Sequence, residues 1–172
     1  MASILDTLKD AQGGMKKSAD WYRRNVRSIA DNVTARRLMN QGKLIGRPSQ
    51  GRLNMFFYDP KTKARLPYFD VFPLVLPLEP IKGGFMGLNF HYLPYLLRFK
   101  LLERLQKFAD GGMKSSTKII ASYDDVKRIN LVKPTIKKYL YSYARSQFLR
   151  IDFDEAALAA YLPVQQFRKA GT

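Results

Sequence analysis

Residues Gly83 to Leu105, GGFMGLNFHYLPYLLRFKLLERL, decide how this chain folds, because here a glycine-punctuated aromatic half gives way to a basic helical half. Gly83-Gly84 supplies φ > 0 conformations that a bulky residue adopts only under strain, so the pair predicts a tight turn. Phe85, Gly87 and Asn89 then alternate with Met86, Leu88 and Phe90 on the two faces of a short strand. Pro94 predicts a helix start, since its missing N–H is harmless in a first turn. Leu96, Leu97, Leu101, Leu102, Leu105 and Phe108 follow at helical spacing, with Arg98, Lys100, Arg104 and Lys107 between them. The expected product is an amphipathic helix over 94–109 with a basic outer face.

Immediately upstream, YFDVFPLVLPLEPI (68–81) carries Pro73, Pro77 and Pro80. Each removes a ladder donor, which predicts short edge strands or a bent strand and argues against one long central strand. Leu53 to Tyr58 reads as a strand, and Asp59-Pro60-Lys61-Thr62-Lys63 as the turn of a β-hairpin. The fold class is therefore α+β: a small antiparallel sheet or partly open barrel packed with amphipathic helices, plus a basic N-terminal helix. Phe72, Leu74, Phe85, Leu88, Phe90, Leu97 and Leu101 are the expected core. Gly87 is expected to resist substitution.

Further out, Ile4, Leu5 and Leu8 predict a short helix ended by Gly13-Gly14. From Ser18, an N-cap, helical spacing runs through Trp21, Tyr22, Val26, Ile29, Val33 and Leu38 to a stop at Gly42, and this helix is expected to project. GKLIGRPSQGR (42–52) reads as a linker, dividing a basic helical arm, 1–50, from an α+β domain, 51–172. Downstream, Gly111-Gly112 breaks the chain and 113–118 reads as a loop. Ser122 with Asp125 resembles a capping box opening a helix through Ile129. Pro134 predicts a helix through TIKKYLYSYARSQFL, with Ile136, Leu140, Tyr143 or Ala144, and Phe148 as its stripe. Asp154 to Tyr161 predicts the last helix, and the remainder a tail.

The chain has 172 residues, no cysteine and one histidine, with 30 Lys plus Arg against 14 Asp plus Glu, a net charge of +16. Disulfides, thiolate catalysis, cysteine-bound metals, Ser-His-Asp triads and multi-histidine centres lack their parts. The positive excess lies in 1–52 and 98–150, flanking a nearly neutral middle. Such a balance points to a polyanion, with nucleic acid ahead of an anionic membrane or an acidic protein. No run reaches the roughly 18 apolar residues of a membrane span, and the N-terminus has no signal design, so a soluble, unexported chain is expected.

The densest cation clusters are Arg23, Arg24, Arg27, Arg36 and Arg37, with Lys137, Lys138 and Arg145, and these are the candidate DNA-binding residues. The competing reading is a solvated basic surface. Tyr139, Tyr141 and Tyr143 interleave with the second cluster as core or rim residues rather than base-stacking platforms. His91, between Phe90 and Tyr92, reads as a buried histidine satisfied by a backbone partner. Asp70 reads as a structural carboxylate bonded to a backbone amide, tyrosine or arginine. With Gly83, Gly84 and Gly87 these form the structural set. Asp59, Asp70 and Glu79 are scattered, and Asp124-Asp125 and Asp152-Asp154-Glu155 read as helix-start acids, so no two-metal site is expected. No G-x-x-x-x-G-K-[ST] occurs, and neither cofactor nor metal is expected.

The run FFYDPKTKARLPYFDVFPLVLPLEPIKGGFMGLNFHYLPYLLR, with KPTIKKYLYSYARSQFLRI further on, resembles small virion proteins of T-even-like tailed bacteriophages and their cyanophage relatives. Within that group it is most similar to those labelled DNA end protector or neck/tail structural proteins. LPYFDVFPLV and GGFMGLNFHYL are its most specific pieces, and the likeness covers 51–151. The resemblance carries over no catalytic residues. It implies a non-enzymatic virion protein of the portal, neck or tail assembly, present in several copies beside other virion subunits and touching packaged double-stranded DNA or its end. The alternatives are a tail or baseplate component meeting only acidic protein neighbours and, third, a DNA-processing enzyme.

Overall fold

The computed structural model describes residues 3–15, 17–29, 33–48, 50–109, 117–119 and 121–170. Its centre is an open antiparallel sheet of six strands: β1 (Leu44–Ile45), β2 (Leu53–Met55), β4 (Leu74–Ile81), β5 (Gly84–Asn89), β6 (Ile136–Leu140) and β7 (Phe148–Ile151). They lie in the order β1-β7-β2-β4-β5-β6, and β3 (Tyr68–Asp70) pairs with β8 (Phe167–Lys169) in a separate two-stranded sheet. Among the described residues six helices complete the fold: α1 (Ile4–Gln12), α2 (Ala19–Ile29), α3 (Ala35–Gln41), α4 (Tyr95–Leu105), α5 (Tyr123–Val126) and α6 (Ala156–Tyr161). The α+β architecture with an unclosed sheet is the expected one.

The Gly83-Gly84 turn forms as the spacing predicts. Ile81 pairs with Gly84, leaving a two-residue loop in which Gly83 has φ +77°. Gly84 itself serves a different purpose: a Cβ there would strike the Tyr139 carbonyl oxygen and sit 2.9 Å from the Leu140 Cα, so its bareness lets β6 approach β5. Gly87 is confined by the Val75 side chain, with the Phe85 and Tyr139 rings 3.2 and 3.3 Å from the Cβ position.

Alternation along the strands produces two cores. Leu53, Met55, Leu74, Leu76, Leu78, Leu88, Leu149 and Ile151 face the helices, while Phe56, Val75, Phe85, Tyr139 and Phe148 form a smaller aromatic core. In the second, Phe56 meets Phe148 at 4.6 Å between ring centres and Tyr139 at 5.5 Å nearly perpendicular, geometry that suits the ring quadrupoles. Of the expected core, Phe72, Leu74, Phe85, Leu88, Phe90 and Leu101 are buried, and Leu97 is half-buried against them.

Several expectations need correction. The 133–148 segment is not a helix: a 3-10 turn at Lys133–Thr135 leads into β6, another at Tyr141–Tyr143 follows, and then β7. Ile136, Leu140 and Phe148 fit helical spacing by coincidence, whereas pairing with the exposed edge of β5 carries Tyr139 opposite Phe85 into the aromatic core. The hairpin expected after Tyr58 does not form either; β2 pairs with β4 and β7, and the 59–65 turn leads to β3. The proline-rich stretch does supply one eight-residue strand, β4, although only Leu74 and Val75 pair with β2. Pro77 and Pro80 lie beyond that point, beside a register irregularity at 77–79, where the missing donors cost little.

The basic N-terminal region is not one projecting helix. Thr34 is extended and caps α3 through its hydroxyl, separating α3 from α2. Leu5, Leu8, Tyr22, Val26, Leu38 and Met39 are buried in the main core, and α1 and α2 lie against α6, with α2 also touching α4. Ser3 closes α1 with a full capping box, Gly13 ends it in the left-handed region, and Ser122 with Asp125 caps α5 as expected. The α5 helix ends at Val126, short of Ile129, and the expected tail instead contributes β8. Residues 113–116 of the expected loop, and Gly111-Gly112, lie outside the described residues.

Candidate nucleic-acid interface

Helix α4 shows first where charge is not available for a ligand. Arg98, expected on the basic outer face, is 3% exposed. Its Nε donates to the Leu93 carbonyl at 2.7 Å, Nη1 to the Ala160 carbonyl at 3.0 Å and Nη2 to the His91 carbonyl at 3.3 Å, and the guanidinium lies over the Tyr95 ring. Leu96 correspondingly faces out at 51% exposure. Arg98 thus fastens α4 to α6 and to the 90–92 turn.

Asp70 and His91 form the next polar set. The Asp70 carboxylate accepts from the Phe72 amide at 3.0 Å and the Gln166 amide at 3.2 Å through one oxygen, and from Asn89 at 3.1 Å through the other. His91 Nδ1 completes the set, 2.7 Å from that second oxygen. The expected amide partners of Asp70 are present; the close partner of His91 Nδ1 is a carboxylate, and the Phe72 backbone adds a weaker influence on the ring. Four hydrogen bonds fill the acceptor capacity of an ionised carboxylate, leaving none for a reacting proton. Burial opposes the Asp70 charge, but His91, Asn89 and the Phe72 amide together hold its carboxyl below the usual range. Burial also pushes the His91 imidazole below its ordinary value, against the pull of Asp70. The pair is an ionised carboxylate accepting from a neutral imidazole, and it ties β3, β5 and the C-terminal segment together.

The acids at 152–155 are likewise engaged. Asp152 sits within 2.9 Å of Lys43 Nζ, 3.1 Å of Arg150 Nε and 3.6 Å of Arg52 Nη1. Asp154 pairs with Lys9 at 3.4 Å, and Glu155 accepts from the Asp152 amide at 2.9 Å in a capping box. These carboxylates neutralise cations and start a helix.

Two open clefts gather cations, and they share Tyr58 and Phe69 as walls. The first, about 450 Å³, is lined by Arg36, Lys63, Arg145 and Arg168 with Asp59, Phe57 and Val71. The second, about 400 Å³, collects Lys61, Lys137 and Lys138 with Tyr92 and Tyr139. The shared wall is rigid: the Tyr58 hydroxyl accepts from the Leu140 amide at 2.9 Å, and the Tyr58 amide donates to the Val71 carbonyl at 2.9 Å. Lys137 Nζ lies 4.5 Å from the Tyr92 ring centre, and burial lowers the pKa of its ammonium. The Tyr92 phenol is pushed up to about 12, chiefly by burial and then by Asp70 and Tyr68, so it stays neutral.

The fold therefore brings together Arg36, Arg145, Lys137 and Lys138 from the sequence-read set. It adds Lys61, Lys63 and Arg168, which in the sequence look like ordinary turn and tail residues. Arg23, Arg24 and Arg27 line neither cleft; they are exposed on α2, where Arg23 pairs with Asp20 at 3.0 Å and Arg27 lies over Tyr95 at 5.0 Å. Arg37 is exposed on α3.

The open sheet is thus flanked by two adjoining cationic clefts with aromatic walls. The chain belongs to the family described as phage T4 terminal DNA protecting protein, whose profile matches residues 3–172. No curated protein and no solved structure matches it significantly.

Proposed function

We propose that this bacteriophage protein covers the ends of duplex DNA without acting on them chemically. The single observation that carries the reading is the convergence of seven cations from α3, the 59–65 turn, β6, the 141–147 segment and β8 on two adjoining clefts. Phosphates need such cations on long stems, and the buried rings of Tyr58, Phe69 and Tyr139 give the clefts fixed walls. The α2 arginines add exposed positive charge outside the clefts. Membership of a terminal-DNA-protecting family supports an end over an internal stretch. The saturated Asp70 carboxylate and the neutralised acids at 152–155 support binding rather than catalysis.

The protein acts within the virion, beside portal, neck or tail subunits. One observation favours such protein neighbours: Tyr68 and Phe167 are 50% and 39% exposed and meet each other and Tyr92 at 5.2 to 5.7 Å, an apolar patch suited to a protein contact. The test is competition between linear and covalently closed duplexes of equal length across salt. Preference for the linear form is expected, and equal affinity for both would remove end recognition.

A further inference from the structure

We infer that the cleft among Arg36, Arg145 and Arg168 is a pocket for the terminal phosphate monoester of a DNA strand; this rests on the reading of the protein as a DNA-end binder. Arg36 on α3 and Arg168 on β8 both line the cleft, and their guanidinium groups form no hydrogen bond or ion pair among the described residues. Arg145 Nη1 donates to the Ser142 carbonyl at 2.9 Å, and its Nη2 lies 3.7 Å from Asp59. Lys63 holds the same Asp59 carboxylate at 3.0 Å. The cleft thus has four cations and one carboxylate. Two planar guanidinium forks stand ready for an anion, and arginine forks match phosphate oxygens in pairs.

Size and charge decide which phosphate. A space of about 450 Å³ is that of a single small ligand and far too small for a duplex. An internal phosphodiester enters it only by carrying both neighbouring nucleotides along, whereas a terminal phosphate enters from one side. A terminal monoester also carries about −1.5 to −2 charges at neutral pH and three free oxygens, against a single charge on each internal diester. Phe57, Tyr58 and Phe69 fix the apolar wall; the Phe57 amide is held by Ser146 Oγ at 2.9 Å, so the pocket exists before a ligand arrives.

The test uses the full-length protein and a dye-labelled hairpin duplex with one blunt end, prepared with a 5′-phosphate, a 3′-phosphate or neither. One phosphorylated form is expected to bind about tenfold more tightly than the bare end, the size of one or two charge-assisted hydrogen bonds. The double variant Arg36→Ala/Arg168→Ala, with an unchanged melting temperature, is expected to bind all three equally. Equal binding of all three by the unaltered protein overturns the pocket, as does a phosphate preference that survives the double variant. A closed circular duplex in the same series separates the two readings. Rejection of the circle alongside equal binding of the three ends removes the pocket and leaves end binding in place; acceptance of the circle removes both.

Discussion

His91 Nδ1 lies 2.7 Å from Asp70 Oδ2, and this buried hydrogen bond joins the turn after β5 to the two-stranded sheet that walls both clefts. Removing the carboxylate in Asp70→Ala orphans two backbone amides, Asn89 and His91 at once. A loss of about 3–5 kcal/mol is expected, since each buried donor left unpaired costs about 1–3 kcal/mol. Urea unfolding measures it; a loss under about 1 kcal/mol, the worth of an ordinary hydrogen bond, would show that the network is dispensable.

The same pair predicts how stability follows pH. Both groups have folded pKa values below their ordinary ones, 6.5 for His91 and 3.8 for Asp70. Each contributes stability that is fully present above its unfolded value and lost as pH falls towards its folded one. The loss should begin below about pH 6.5 with His91, the only histidine in the chain, and steepen below about pH 3.8 with Asp70. Unfolding free energies measured from about pH 7.5 down to about pH 5 should decline in the wild type relative to His91→Gln, the raised Glu155 carboxyl acting equally on both. Identical declines would contradict the assignment.

Arg98 should behave as a structural residue. Arg98→Met leaves the carbonyls of Leu93, His91 and Ala160 without this donor, which predicts a loss of roughly 3 kcal/mol or more. DNA affinity at a temperature where the variant is folded should not change. Weakened binding with unchanged melting would return Arg98 to the surface set.

The glycines separate backbone strain from space. At Gly83 an alanine meets open space but must adopt φ +77°, a cost of about 1–2 kcal/mol. At Gly84 the added carbon meets the Tyr139 carbonyl and the Leu140 Cα across the β5–β6 pair, and at Gly87 a valine meets Val75 in the aromatic core. Both should cost about 3 kcal/mol or more, the upper end of overpacking penalties. Thermal melts of the three variants give the order directly, and a Gly84→Ala variant more stable than Gly83→Ala would be inconsistent with the register.

These contrasts also mark what the sequence can disclose. Gly83 and the Ser122–Asp125 cap are legible because their constraints are local, a backbone angle and a side chain one helical turn from its amide. The β6–β7 region is not, because Ile136, Leu140 and Phe148 satisfy helical spacing while the choice of strand is made by β5, far away along the chain. Arg98 breaks the amphipathic rule since three carbonyls and a tyrosine face outweigh the burial of one charge. In the clefts, Lys137, Lys138, Arg36 and Arg145 stand out by charge density. Arg168 joins them only through the β3–β8 pairing, which no local pattern announces, and Lys63 through its ion pair with Asp59.

Cleft residues should dominate the salt dependence of binding. Replacing Lys137 and Lys138 by alanine should reduce the slope of log affinity against log salt by about 0.9 for each phosphate that is no longer neutralised. Replacing Arg23 and Arg24 should change it less, since Arg23 is already paired with Asp20 and neither lines a cleft. Equal slopes for the two double variants would remove the clefts from their central role.

The most direct measurement of the account is an exonuclease challenge. A linear duplex incubated with the purified protein, then exposed to a nuclease that enters only at ends, should survive many times longer than free DNA. Protection should be lost in a Lys137→Ala/Lys138→Ala/Arg145→Ala variant that melts like the wild type, while an endonuclease cutting internally should act on protected and free DNA alike. Degradation from the ends at the same rate with and without the protein, under low-salt conditions where it binds DNA, would contradict the claim that this fold covers a DNA terminus.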